Sequence, residues 1–175
     1  LADREPLYQG GFIWDFIDQG LLKKDRYGQE FLAYGGDFLD RPTNYNFCVN
    51  GIVYADRTLS PKMAEVKYNY RDIRMEACAE GVHIYNRALF TNTGGYRCRF
   101  TLAREGVTIT EIVKHVAVEP LAEGFVKWPI KWPENPGEYV MTAAFELDSD
   151  TIWAKAGHEV AFEQYVMVVG AVAKH

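Results

Sequence analysis

The chain has 175 residues, 48% of them hydrophobic, 14% aromatic and 25% charged, a composition that supports a real core and excludes disorder as the default state. Nineteen basic against 24 acidic residues leave a net charge of −5 with no basic cluster, so neither nucleic acid nor an anionic membrane surface is expected as a partner. No apolar run approaches the roughly 20 residues that span a bilayer, and the opening Leu1-Ala-Asp-Arg-Glu-Pro6 has neither an initiator Met nor a signal sequence, which reads as a chain beginning within a longer protein or after processing.

Up to about residue 71 short apolar runs alternate with polar, Gly-rich connections. The first run, Gly10-Gly-Phe-Ile-Trp-Asp-Phe-Ile17, is almost continuously apolar. That pattern predicts a strand covered on both faces in a parallel sheet, whose neighbours this segment lacks. Asp25-Arg-Tyr-Gly28 punctuates the chain, and long connections follow through Phe31–Phe38 and Leu39–Asn46. A helix closes the region: Ser60 can cap it, Pro61 fits its first turn, and Met63, Val66 and Tyr70 recur at spacings of three and four.

Beyond residue 71 the pattern becomes regular alternation. Cys98, Phe100 and Leu102 alternate with Arg97, Arg99 and Thr101, while Tyr139, Met141, Ala143, Phe145 and Leu147 share one face. Similar runs lie near 72–79, 81–90, 107–118, 125–130 and 159–169, separated by Thr93-Gly-Gly95, Glu105-Gly106 and Pro133-Glu-Asn-Pro-Gly137. About seven strands over roughly 100 residues predict an immunoglobulin-like β-sandwich. The expected organisation is thus a loop-rich segment over 1–71 and a sandwich over 72–175, mainly β overall. Cys48, Cys78 and Cys98 are an odd number without C-x-x-C spacing and read as buried thiols.

Catalytic constellations are sparse. There is no G-x-S-x-G, no phosphate-binding Gly-rich loop, no H-E-x-x-H, and no metal spacing among His83, His115, His158 and His175. His83, between Val82 and Ile84, is expected to point outward. Asp15 and Asp18 fail as a carboxylate pair, because positions three apart on a strand face opposite ways whereas a retaining glycosidase needs carboxyls about 5 Å apart. Trp14 and Phe47 offer flat apolar faces for a pyranose, and Asn50 offers an amide for hydroxyls or a hard cation. Taken alone, Trp14 in an apolar strand reads as a core residue and Asn50, before Gly51, as a turn residue, and composition does not overturn either reading.

The order of three segments is more specific. Gly10-Gly-Phe-Ile-Trp-Asp-Phe-Ile-Asp-Gln19, Tyr34-Gly-Gly-Asp-Phe38 and Asn46-Phe-Cys-Val-Asn-Gly-Ile-Val-Tyr-Ala-Asp-Arg57 together strongly resemble the large β-galactosidases of glycoside hydrolase family 2. The likeness continues through Pro61-Lys-Met-Ala-Glu-Val-Lys67 and returns at Trp153-Ala-Lys-Ala-Gly-His158; between about 72 and 150 only the strand pattern carries it. The resemblance implies the C-terminal end of a (β/α)₈ barrel (last strand, long loop and final helix) followed by a β-sandwich. It places the family's substrate-stacking tryptophan on Trp14 and its sodium ligands on the Phe47 backbone oxygen and the Asn50 side chain, oxygen donors that suit a hard cation. It also implies magnesium in the full-length family. The catalytic glutamates, a third sodium ligand and a galactose-contacting histidine would lie upstream, so the parent would hydrolyse β-galactosides while this fragment alone would be inactive. Its expected partners are the other domains of the parent chain and, through the orphan strand, a second copy of itself. The competing expectation is an independent carbohydrate-binding or structural module. Localisation stays open between cytoplasm and periplasm.

Overall fold

A computed structural model describes residues 4–170. The chain falls into two compact units that part between Asn69 and Tyr70.

In the first unit, β1 (Leu21–Lys24) and β2 (Glu30–Ala33) form an antiparallel hairpin. Its turn is built by Asp25, whose Oδ1 accepts from the backbone N–H groups of Tyr27 and Gln29 at 2.8 and 2.9 Å, while Gly28 takes the positive φ of 79° that the reversal requires. Periodicity does not single this hairpin out, since most of its residues are exposed on both faces. Helix α1 (Lys62–Asn69) follows, with Met63 and Val66 half-buried and the rest exposed. Ser60 begins it through its carbonyl, which accepts from Met63 N at 3.0 Å. Its hydroxyl does not cap: the Ser60 N–H is drawn to Ile52 O at 3.2 Å, and Oγ lies buried without a hydrogen-bond partner.

The strand expected over 10–17 does not form. Among the described residues its single bridge is the parallel pairing of Ile17 with Val53, and Phe12 and Trp14 are 102% and 75% exposed. A strand exists only through hydrogen-bonded neighbours, and this run has a partner at one end alone. Among the unit's described residues the buried apolar ones are Ala33, Ile52 and Val53.

The described residues of the second unit form a β-sandwich of seven antiparallel strands: β3 (Ile73–Ala77), β4 (Gly81–Asn86), β5 (Tyr96–Arg104), β6 (Val107–Lys114), β7 (Glu123–Lys127), β8 (Gly137–Leu147) and β9 (Glu159–Val169). One sheet has the order β3-β4-β7, the other β6-β5-β8-β9, so the chain crosses between sheets after β4, β6 and β7, as an immunoglobulin-like topology requires. The alternating sets Cys98, Phe100, Leu102 and Tyr139, Met141, Ala143, Phe145 form one core with Ile73, Met75, Val82 and Ile84.

Strand ends are set by side chains that claim backbone groups. β4 stops at Asn86, whose amide donates to Thr91 O, Val118 O and Glu119 O at 2.8, 2.9 and 3.2 Å. β6 stops at Lys114, short of 118, because Thr93 Oγ1 donates to Val116 O at 2.7 Å and accepts from Val118 N at 2.8 Å. On the outer face of the larger sheet Glu146 is buried, and Arg97 Nη2 and Arg99 Nη2 meet its two oxygens at 2.9 and 2.6 Å. Every bond of this carboxylate is charge-assisted, which offsets its desolvation. Burial and the neighbouring Glu146 push the Cys98 thiol from 9.0 up to about 12. Cys48 and Cys78 are only half-buried, contrary to the expectation of three buried thiols; all three are free.

Candidate functional site

Two chain segments of the first unit are laced together by their backbones. Asp15 N donates to Asn50 O at 3.5 Å, Ile52 N to Phe16 O at 3.0 Å, Val53 N to Phe16 O at 2.8 Å, Asp18 N to Val53 O at 2.9 Å and Gln19 N to Cys48 O at 3.0 Å. This lacing carries Trp14, at a cis Trp14–Asp15 bond, beside the turn that holds Phe47 and Asn50. Tyr34-Gly-Gly-Asp-Phe38 folds into a second turn, closed by Asp37 Oδ2 on Tyr34 N at 2.9 Å and extended by Asp40 Oδ1 on Gly36 N at 3.2 Å. It is steadied by Lys23, which donates to Asp37 O and lies 4.7 Å from the Phe38 ring centre.

An open cleft of about 370 Å³ results, lined among others by Trp14, Gln19, Asp40, Asn44, Tyr45 and Phe47. Its chemistry suits a small polar ligand with one apolar face: aromatic rings, a carboxylate and two amides, at a site of the size small-molecule pockets have. Trp14 and Phe47 are 75% and 68% exposed, so neither is a core residue in this chain. Asn50 does not line the cleft, but its Nδ2 donates to Phe47 O at 3.0 Å. A half-turn of that amide about its last torsion would bring Oδ1 beside the Phe47 carbonyl. Two neutral oxygens so placed fit a hard monovalent cation. Among the described residues, no three His, Cys, Asp or Glu side chains cluster as a metal site.

Asp15 and Asp18 have separate partners: Asp15 Oδ2 accepts from Gln19 Nε2 at 2.6 Å, and Asp18 Oδ1 from Gly51 N at 2.6 Å. Spacing alone gives no sign of the second contact, which joins residues 33 apart, nor of Asp40 and Asn44 at the cleft, which sit in connections without periodicity. In the sandwich, the His83 ring lies 4.6 Å from that of Phe125, tilted by 49°, and is exposed, as are His115 and His158; His175 lies outside the described residues. Trp128 and Trp132 are packing residues. Their indole N–H groups donate to Cys78 O and Ala79 O at 2.8 and 3.0 Å, and their rings meet Phe100 and Tyr165 edge-on.

Residues 1–75 match the family model described as glycosyl hydrolases family 2, TIM barrel domain, and residues 82–168 match β-galactosidase, domain 4. Among curated proteins the chain is 50% identical, over 99% of its length, to a β-galactosidase of Halalkalibacterium halodurans, and 47% identical, over 95%, to one of Clostridium acetobutylicum. A β-galactosidase of Priestia megaterium is 42% identical over 95%. The chain spans 17%, 19% and 17% of these relatives' lengths. The chain belongs to glycoside hydrolase family 2. Within that family it corresponds to the C-terminal part of the TIM-barrel domain and the following β-sandwich domain of the β-galactosidases.

Proposed function

We propose that this chain supplies one wall of the galactoside pocket of a retaining β-galactosidase, together with a sandwich domain that supports it. Trp14 stacks on the apolar face of the galactose ring, and polar groups of the same cleft take its hydroxyls. Phe47, through its backbone oxygen, and Asn50, through its side chain, hold the sodium ion, which when bound supplies a fixed positive charge beside the sugar. Both catalytic glutamates, one acting as acid/base and one as nucleophile, belong to the parent outside this chain. The rest of the barrel and the other domains cover the apolar surface that the first unit exposes, with self-association as the alternative cover. Magnesium belongs to the parent as a whole.

The observation that carries this reading is the cleft in which Trp14 and Phe47 share a wall, with the Asn50 amide 3.0 Å from the Phe47 carbonyl. In the full-length enzyme, Trp14→Ala is expected to raise KM for a chromogenic β-galactoside by about tenfold or more, the equivalent of losing an aromatic contact. Unchanged kinetics in that variant would refute the assignment.

A further inference from the structure

The turn that carries Phe47 and Asn50 is gripped by two charged side chains. Half-buried Asp18 accepts the Gly51 N–H at 2.6 Å, and Lys62, the first residue of α1, donates Nζ to Gly51 O at 2.6 Å. The peptide units on both sides of Gly51 are thereby fixed, and the one held by Asp18 is the peptide that leaves Asn50. The approach is so close that a Cβ on Gly51 would lie 2.7 Å from Asp18 Oδ1, which only glycine avoids. Asp18 is not among the residues lining the cleft. Its carboxylate is engaged with backbone, and a charge-assisted bond of this kind is among the stronger single contacts available to a turn.

We propose that Asp18 is a positioning residue for the cation site: through its bond to Gly51 N–H it orients Asn50, and with it the Phe47 carbonyl, without touching cation or sugar. The proposal rests on the reading of Phe47 and Asn50 given above. Groups that orient metal ligands commonly matter nearly as much as the ligands, and here the orienting group lies one peptide away from Asn50.

The test uses the full-length enzyme, with sodium affinity measured by sodium NMR line broadening and, separately, by the sodium dependence of KM. Asp18→Ala is expected to weaken sodium binding by about tenfold, and Asp18→Asn, which keeps an oxygen acceptor, by no more than about threefold. Asp18→Ser keeps a polar group in the half-buried position but is too short to reach Gly51, and covers the case in which the alanine variant does not fold; it is expected to behave as alanine would. Folded Asp18→Ala or Asp18→Ser enzyme with native sodium affinity would overturn the proposal, as would an Asp18→Asn enzyme as weak as either. Asn50→Ala separates the two levels. If that variant also binds sodium normally, the reading of the site fails; if it loses sodium while Asp18→Ala does not, the positioning role alone fails.

Discussion

The two units treat the same residue type in opposite ways. In the sandwich Phe100 and Phe145 are 0% exposed, whereas in the first unit Phe12 is 102% exposed and Trp14 75%. The central strands β5 and β8 are paired on both edges within the chain and pack their alternating apolar residues into the sandwich core, so that face is used up by its own unit. The run from Gly10 to Ile17 has one bridge among the described residues, and Phe12 and Trp14 stay exposed. An apolar run thus reports a need for cover, and only the presence of neighbours turns that need into a strand.

Substitutions should divide along the same line. Phe100→Ala empties a fully buried site where Trp128 packs edge-on and is expected to cost about 4 kcal/mol; Phe12→Ala in the isolated chain should stay within about 0.5 kcal/mol. Denaturant unfolding followed by near-ultraviolet circular dichroism of the sandwich checks both, and a comparable loss in the two variants would break the contrast. Glu146→Ala leaves Arg97 and Arg99 facing each other without their shared carboxylate. Because both guanidiniums are about a third exposed, about 2 kcal/mol is expected rather than the larger cost of a fully buried pair. Thr93→Val keeps shape but strips Val116 O and Val118 N of their partner and should cost about 1–2 kcal/mol by the same measurement.

The thiols sharpen the comparison at the smallest scale. With its pKa raised from 9.0 to about 12 in the folded state, Cys98 should resist alkylation at pH 8 until the sandwich unfolds, while half-buried Cys48 and Cys78 react in the native chain. A folded-state pKa above the unfolded one means that the folded chain holds the proton more tightly. The Cys98 contribution is therefore intact below about pH 9 and is lost as pH rises from 9.0 toward about 12. Mass spectrometry of labelled peptides, native against denatured, reads the reactivity directly.

What the sequence reveals follows from the same physics. Alternation identifies the core faces of β5 and β8 because inward and outward positions differ by one residue. It overruns β4 and β6 because Asn86 and Thr93 end those strands through contacts with residues 23 to 33 positions away. Trp14, Phe47 and Asn50 are legible only through the order of motifs around them; by residue type alone they pass for core and turn. Spacing shows Asp18 only as half of a carboxylate pair with Asp15 that fails on geometry; its grip on Gly51 needs the fold that brings them together.

The proposal that this chain is one wall of a galactoside site, without the carboxylates that break the bond, meets its most direct test in the isolated 175-residue protein. Incubated with a chromogenic β-galactoside, it should release no product above the rate of buffer alone. Turnover that disappears in the Trp14→Ala variant would contradict the account, because the chain would then hold a complete catalytic site.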